Sequence, residues 1–285
     1  MNTEIIYFNE SLKGLFGEKL EELSSGHSFT EGPVWKESEQ SLYFTDFPKE
    51  HIYKWTEKDG TTLYTDKSNR AIGLALDNNE NLISCESGFH RLAVLTANGS
   101  TPIISEYDGK RFNSINDAVV ARDGSFLFTD PFSKALGVPS AQGFNGVYRF
   151  SKDTQEVKVI CKDFSWPNGI CLNADESILY VNDTGAQEIY KFEKDGNGEY
   201  TNKELFAVLN TSYGEGAPDG MKVDKNNNVW VTGPGGIWVL SSKGERLAIL
   251  KTPQFAGNFC FGGTEIFITA STSVYRVALK KGLKI

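Results

Sequence analysis

Histidine and cysteine are scarce in this chain: its 285 residues hold three of the first and four of the second. His27, His51 and His90 are too few and too scattered for a histidine-rich zinc hydrolase, whose sites draw two or three imidazoles from clustered motifs. Cys85, Cys161, Cys171 and Cys260 form no CxxC pair, and a chain of this length needs no disulfide framework, so they read as buried thiols. Nucleophile elbows, dinucleotide fingerprints and P-loops are missing as well. No run of about 18 apolar residues occurs, so no membrane span is expected. The opening stretch, MNTEIIYFNESLKGLF, lacks the basic and apolar regions of a signal peptide, and a soluble cytoplasmic protein is expected. Excess positive charge is absent too. Lys and Arg number 29 against 37 Asp and Glu, a net charge of −8, which argues against a nucleic-acid partner.

What is present is ordinary globular composition, 39% hydrophobic and 23% charged, with a repeat running through it. Short aromatic and β-branched runs recur as LYFTD, LISCES, FLFTDP, LYVNDT, VWVTGP and IFITAS. Their central residues, Phe44, Ile83, Phe128, Val181, Val231 and Ile268, are 37 to 53 residues apart. Each run follows a shorter strand that ends in a polar turn, and each precedes a third strand such as HIYKW or GVYRF. Strand-rich units of about this length are the spacing of a β-propeller, one blade per unit. Six units predict an all-β, six-bladed β-propeller filling residues 1–285 as a single domain. TTLYT, VKVICK and LFAVL are candidate fourth strands. The last unit runs out with three strands, so residues 18–24 are expected to close the ring and remove its exposed edge. LKGLFGEKL has a faintly helical spacing, and residues 1–17 are taken as an N-terminal extension.

The repeat also locates chemistry. Ten to thirteen residues before each central residue, where the innermost strand begins, stand Glu31, the Arg70–Gly73 stretch, Asn116, Asn168, Asp219 and Asn258. Equivalent positions on innermost strands ring the axis of a propeller on one face. Carboxylates and amide oxygens converging there suit a hard divalent cation. Turn formation alone is the competing reading, since Asn or Asp before Gly commonly marks a turn. Its recurrence at four equivalent places, with Pro33, Pro167 and Pro218 alongside, favours ligands. Asp130 is a further candidate, for a second, structural cation.

EGPVW, RFNSINDAVVARDGSFLFTDP, WPNGI, PDGMKVD and VWVTGPGGIWV resemble the gluconolactonase, senescence-marker-protein and luciferin-regenerating-enzyme family, over about residues 29–280. The resemblance implies a propeller with one divalent cation at its axis, held by Glu31, Asn168 and Asp219. It implies Asp219 as the proton-transferring residue and Asn116 beside the metal, facing substrate. Some members carry an arginine two residues before that Asn; here the position is Ser114, and Arg111 is the nearest arginine. The stretch Cys85–Arg91 also departs from the family pattern, which leaves the exact sugar open. Calcium is the expected ion, with Mg²⁺, Mn²⁺, Zn²⁺ or Fe²⁺ as alternatives. The expected reaction is hydrolysis of a sugar lactone, a small-molecule substrate such as gluconolactone. A phosphotriesterase or a non-catalytic binding propeller are the alternatives. Trp166 and Phe132 are expected to wall the cleft, Asp183 and Glu86 to bind hydroxyls, and residues 132–146 to form a lid.

Overall fold

Alternation of side chains along each strand sets the architecture. In Phe126–Asp130, Phe126 and Phe128 point into one buried cluster and Leu127 into another on the opposite face. A strand apolar on both faces must be covered on both, so each sheet is sandwiched between two neighbours. The computed structural model describes residues 1–132, 140–209 and 211–280, and among these there is no α-helix. Blade 1 comprises Thr30–Lys36, Ser41–Asp46, His51–Thr56 and Gly60–Thr65; blade 2 spans Ala71–Ile104; blade 3 spans Ala118–Cys161; blade 4 spans Pro167–Val208. Each is a four-stranded antiparallel meander running from axis to rim. Blade 5 covers Met221–Lys251 and blade 6 covers Ala256–Leu279. The six innermost strands contact one another in sequence, and the sixth returns to the first. Six apolar clusters fill the six junctions between blades. Cys85, Cys171 and Cys260 are buried in these clusters, and all four cysteines are free.

The ring is closed from the N-terminal side. Phe16–Ser25 pairs antiparallel with Ser273–Leu279 as the outer strand of blade 6. That strand contains the expected residues 18–24 but starts earlier, where the spacing looked helical. Leu12, Phe16 and Leu20 are all buried, and their four-residue spacing imitates a helix face. A bulge produces it: Phe16 stands opposite Leu279 and Leu20 opposite Val277, four residues against two. The extension before it also adds a strand, Ile5–Tyr7, which pairs with Ala248–Leu250 at the rim of blade 5.

Near the axis, side chains of the second strands tie four of the six blades to the next. Thr45 Oγ1 donates to the Ile72 carbonyl (3.0 Å), Thr129 Oγ1 to Asn168 (2.7 Å), Asn182 Nδ2 to Asp219 (2.5 Å) and Thr232 Oγ1 to Gly257 (3.1 Å). Two of these four bonds therefore end on the backbone of expected site residues.

Candidate active site

Glu31, Asn116, Asn168, Asp219 and Arg111 all line one cavity of about 950 Å³ at the axial end where the innermost strands begin. Three carboxylates at the ends of second strands fix the loops that enter it. Asp46 accepts the N–H groups of Ser28 and Phe29, Asp130 those of Asn113 and Ser114, and Asp183 those of Ser165 and Trp166, at 2.7–3.1 Å. In each case the clamped pair lies two residues before a cavity residue: Glu31, Asn116 and Asn168 respectively. The repeated FTD, FTD and VND endings were the sequence signal for these clamps.

The structure gives three of the expected residues other roles. Asp130, expected as a ligand of a second cation, is fully buried outside the cavity lining, and each of its oxygens accepts a backbone N–H, so it anchors a loop here. Asp183 accepts from Ser165, Trp166, Gly185 and Ala186 and does not line the cavity, so it holds the loop rather than a sugar hydroxyl. Glu86 is fully buried and paired with Arg91 at 2.6 Å, so it does not bind hydroxyls either. Trp166 and Phe132 do wall the cavity. Of the segment expected as a lid, residues 133–139, Leu136 among them, lie outside the described residues, while Phe144 packs near Tyr148.

At the floor of the cavity the acceptors are left over by construction. Asn168 Nδ2 donates to Thr184 Oγ1 (3.1 Å), whose own hydrogen goes to the Pro218 carbonyl (2.7 Å). That chain fixes the amide orientation, because the Thr184 oxygen can only accept from Asn168. Asn168 Oδ1 is then a buried acceptor without a partner, and so is Glu31 Oε1, while Glu31 Oε2 takes the Gly32 N–H (3.1 Å). Asp219 is half-buried beside them. Burial, and then the Glu31 and Asp117 charges, push its carboxyl far above the usual range. Burial likewise raises Glu31. Like charges confined in low dielectric call for a cation.

Sequence reading missed two further groups there. Asp117 follows Asn116 but does not line the cavity; it is 4% exposed, with Oδ2 unpartnered. Lys222, whose Nζ donates to the Met221 carbonyl at 2.9 Å, supplies positive charge felt by Glu31, Asp117 and Asp219. Asn258 sits beneath Glu31, its Oδ1 accepting the Phe259 N–H. Close approach explains the glycine after each ligand candidate. A Cβ on Gly169 would lie 1.9 Å from the Asp219 carbonyl, and one on Gly220 2.0 Å from Asn258 Oδ1.

The sequence profile of the SMP-30/gluconolactonase/LRE-like region matches residues 29–272. The chain belongs to this family. It is 30% identical to a gluconolactonase of Zymomonas mobilis, over 92% of this chain and 81% of that one. Among solved structures it is similar to a gluconolactonase of Xanthomonas campestris, with a TM-score of 0.89 and 28% identity, covering 98% of this chain and 95% of that one. The regucalcin of Agrobacterium tumefaciens, described as calcium-binding, shares the fold at a TM-score of 0.76 and 16% identity, covering 93% and 96%. No helix among the described residues is long and apolar enough to cross a membrane.

Proposed function

We propose that this chain is a lactonase that opens sugar lactones with the help of one divalent cation. The observation that carries this reading is the pair of orphaned buried oxygens, Glu31 Oε1 and Asn168 Oδ1, beside the crowded Asp219 carboxyl. Among the described residues no three His, Cys, Asp or Glu side chains converge as a metal-binding group, so the ligands would be Glu31, Asp219 and the Asn168 amide oxygen. Such an all-oxygen set suits Ca²⁺ first, and also accepts Mg²⁺ or Mn²⁺. A bound cation supplies polarisation of the lactone carbonyl and offsets the two carboxylate charges. The residues do the rest. Asn116 and Arg111 hold the sugar hydroxyls at the wall. Asp219 takes a proton from the attacking water as its oxygen bonds to the carbonyl carbon. It returns that proton to the ring oxygen as the ring C–O bond breaks, leaving an open-chain hydroxy acid. A lactone is an activated ester, so no covalent nucleophile is needed; the Ser24–His27 pair, at 2.7 Å, does not line the cavity.

The test is pH-stat hydrolysis of gluconolactone by chelator-stripped protein, with single divalent ions added back and an aryl phosphotriester in parallel. Activity restored by an ion and titrating with its binding supports the reading. Full activity in the stripped protein, or turnover of the phosphotriester alone, overturns it.

A further inference from the structure

On the wall of the same cavity the charge reverses sign. Among the described residues its carboxylates are Glu31 and Asp219, at the floor, whereas the wall carries Arg70 and Arg111. In a chain of net charge −8, neither arginine forms an ion pair among the described residues. Residues 133–139, SKALGVP, contain no acid. Arg111 Nη1 donates to the Phe112 carbonyl at 3.2 Å. Asp130, whose carboxyl feels the Arg111 charge, spends its oxygens on backbone N–H groups.

Arg70 is also held in a costly conformation. Asn69 and Arg70 are consecutive left-handed residues, with φ of 54° and 56°, where glycine would be easier. The surroundings enforce this: the Arg70 carbonyl accepts from both Ser87 N (3.3 Å) and Ser87 Oγ (2.7 Å). The guanidinium lies 5.3 Å from the centre of the Phe47 ring, another cavity residue. Stacking on a ring orients the planar donors and leaves their edge free. Backbone strain kept at a cavity wall, to present an unpaired cation, points to a ligand.

We infer that Arg70 and Arg111 form an anion subsite, and that the substrate is a sugar lactone carrying a negative group remote from the lactone, a carboxylate or a phosphate. This rests on the lactonase reading and narrows its substrate class. The ring carbonyl would lie over the floor and the anionic end against the arginines. Two guanidinium forks match either anion with charge-assisted hydrogen bonds. A neutral aldonolactone would offer them hydroxyl oxygens but no counter-charge.

The experiment compares three substrates by pH-stat: glucono-1,5-lactone, a glucarolactone with a free carboxylate, and 6-phosphogluconolactone. The expected result is a kcat/KM at least tenfold higher for one anionic lactone, an advantage that shrinks with added salt. Which one wins separates carboxylate from phosphate. Arg70→Gly should fold at least as well, since it relieves the left-handed strain. It should lower kcat/KM for the preferred anionic lactone by about 10- to 100-fold, chiefly through KM, and for gluconolactone much less. Arg70→Lys should retain part of the preference. Gluconolactone turned over as fast as both anionic lactones overturns the inference while leaving the lactonase reading intact. So does an Arg70→Gly variant that loses activity equally on all three. Hydrolysis of none of the three overturns the lactonase reading and the inference with it.

Discussion

Asp219 and Asp224 stand just outside the two ends of one three-residue strand, Met221–Val223, and the fold treats them oppositely. Asp224 is 1% exposed and fully used: it accepts from Asn226 N, Asn228 N, Asn228 Nδ2 and the Trp230 indole, all at 2.8–2.9 Å. Asp219 faces the cavity, crowded by Glu31 and Asp117, next to oxygens with no donor at all. A buried carboxylate surrounded by donors is structure. One surrounded by other acceptors is an unfinished site, stable only when something outside the chain completes it.

Four substitutions break or sharpen this contrast. Asp219→Asn should cut turnover by about 10²–10⁴-fold, the usual cost of a lost general base, and weaken metal binding. Its circular dichroism should be unaltered and its Tm undiminished, and a variant keeping more than about a tenth of turnover would remove Asp219 from proton transfer. Asp224→Ala should do the reverse. Stranding the Trp230 and Asn228 donors costs roughly 2–4 kcal/mol, seen as a Tm lower by roughly 3–7 °C, with kcat of the folded protein within about threefold. Asp183→Asn lies between the two, because Asp183 is satisfied yet holds the loop that delivers Asn168. It should cost about 1–3 kcal/mol of stability and about tenfold in kcat/KM, checked by denaturant melts and kinetics on one preparation. Glu39→Gln is the small control on the outer surface. Hydrogen bonds from Lys36 and Lys54 hold the Glu39 carboxyl down at about 2. A depressed carboxyl stabilises above its unfolded value and loses that contribution as pH falls through the folded one. The variant should therefore be less stable at pH 7 by under about 1 kcal/mol, with the difference vanishing between about pH 4.5 and 2. Urea midpoints across that range report it.

The blades were legible because every one repeats the same alternation, and a residue on a two-sided strand has no other way to be buried. The cavity set was legible for the same reason: Glu31, Asn116, Asn168 and Asp219 occupy one register position, and fixing that register fixes their face. What escaped depends on neighbours distant in sequence. Asn116 and Asp117 are adjacent and both polar; only the folded backbone decides that Asn116 meets the cavity and Asp117 is buried. Lys222 reads as an ordinary strand lysine until three carboxylates gather around it. The strain at Arg70 was invisible because Ser87, in the turn after the following strand, enforces it. The helical look of residues 12–20 came from a bulge whose partner is more than 250 residues away.

That last pairing has a temporal consequence. Phe16 and Leu20 are made early but find their partners, Leu279 and Val277, only when nearly the whole chain has been synthesised. At ordinary translation rates of about 5–20 residues per second, the segment waits roughly ten to fifty seconds. Throughout that time its apolar side chains and unsatisfied backbone are exposed in the nascent chain. The contact that seals the ring is therefore also the slowest to become possible. It sets an interval in which the unsealed chain is open to aggregation.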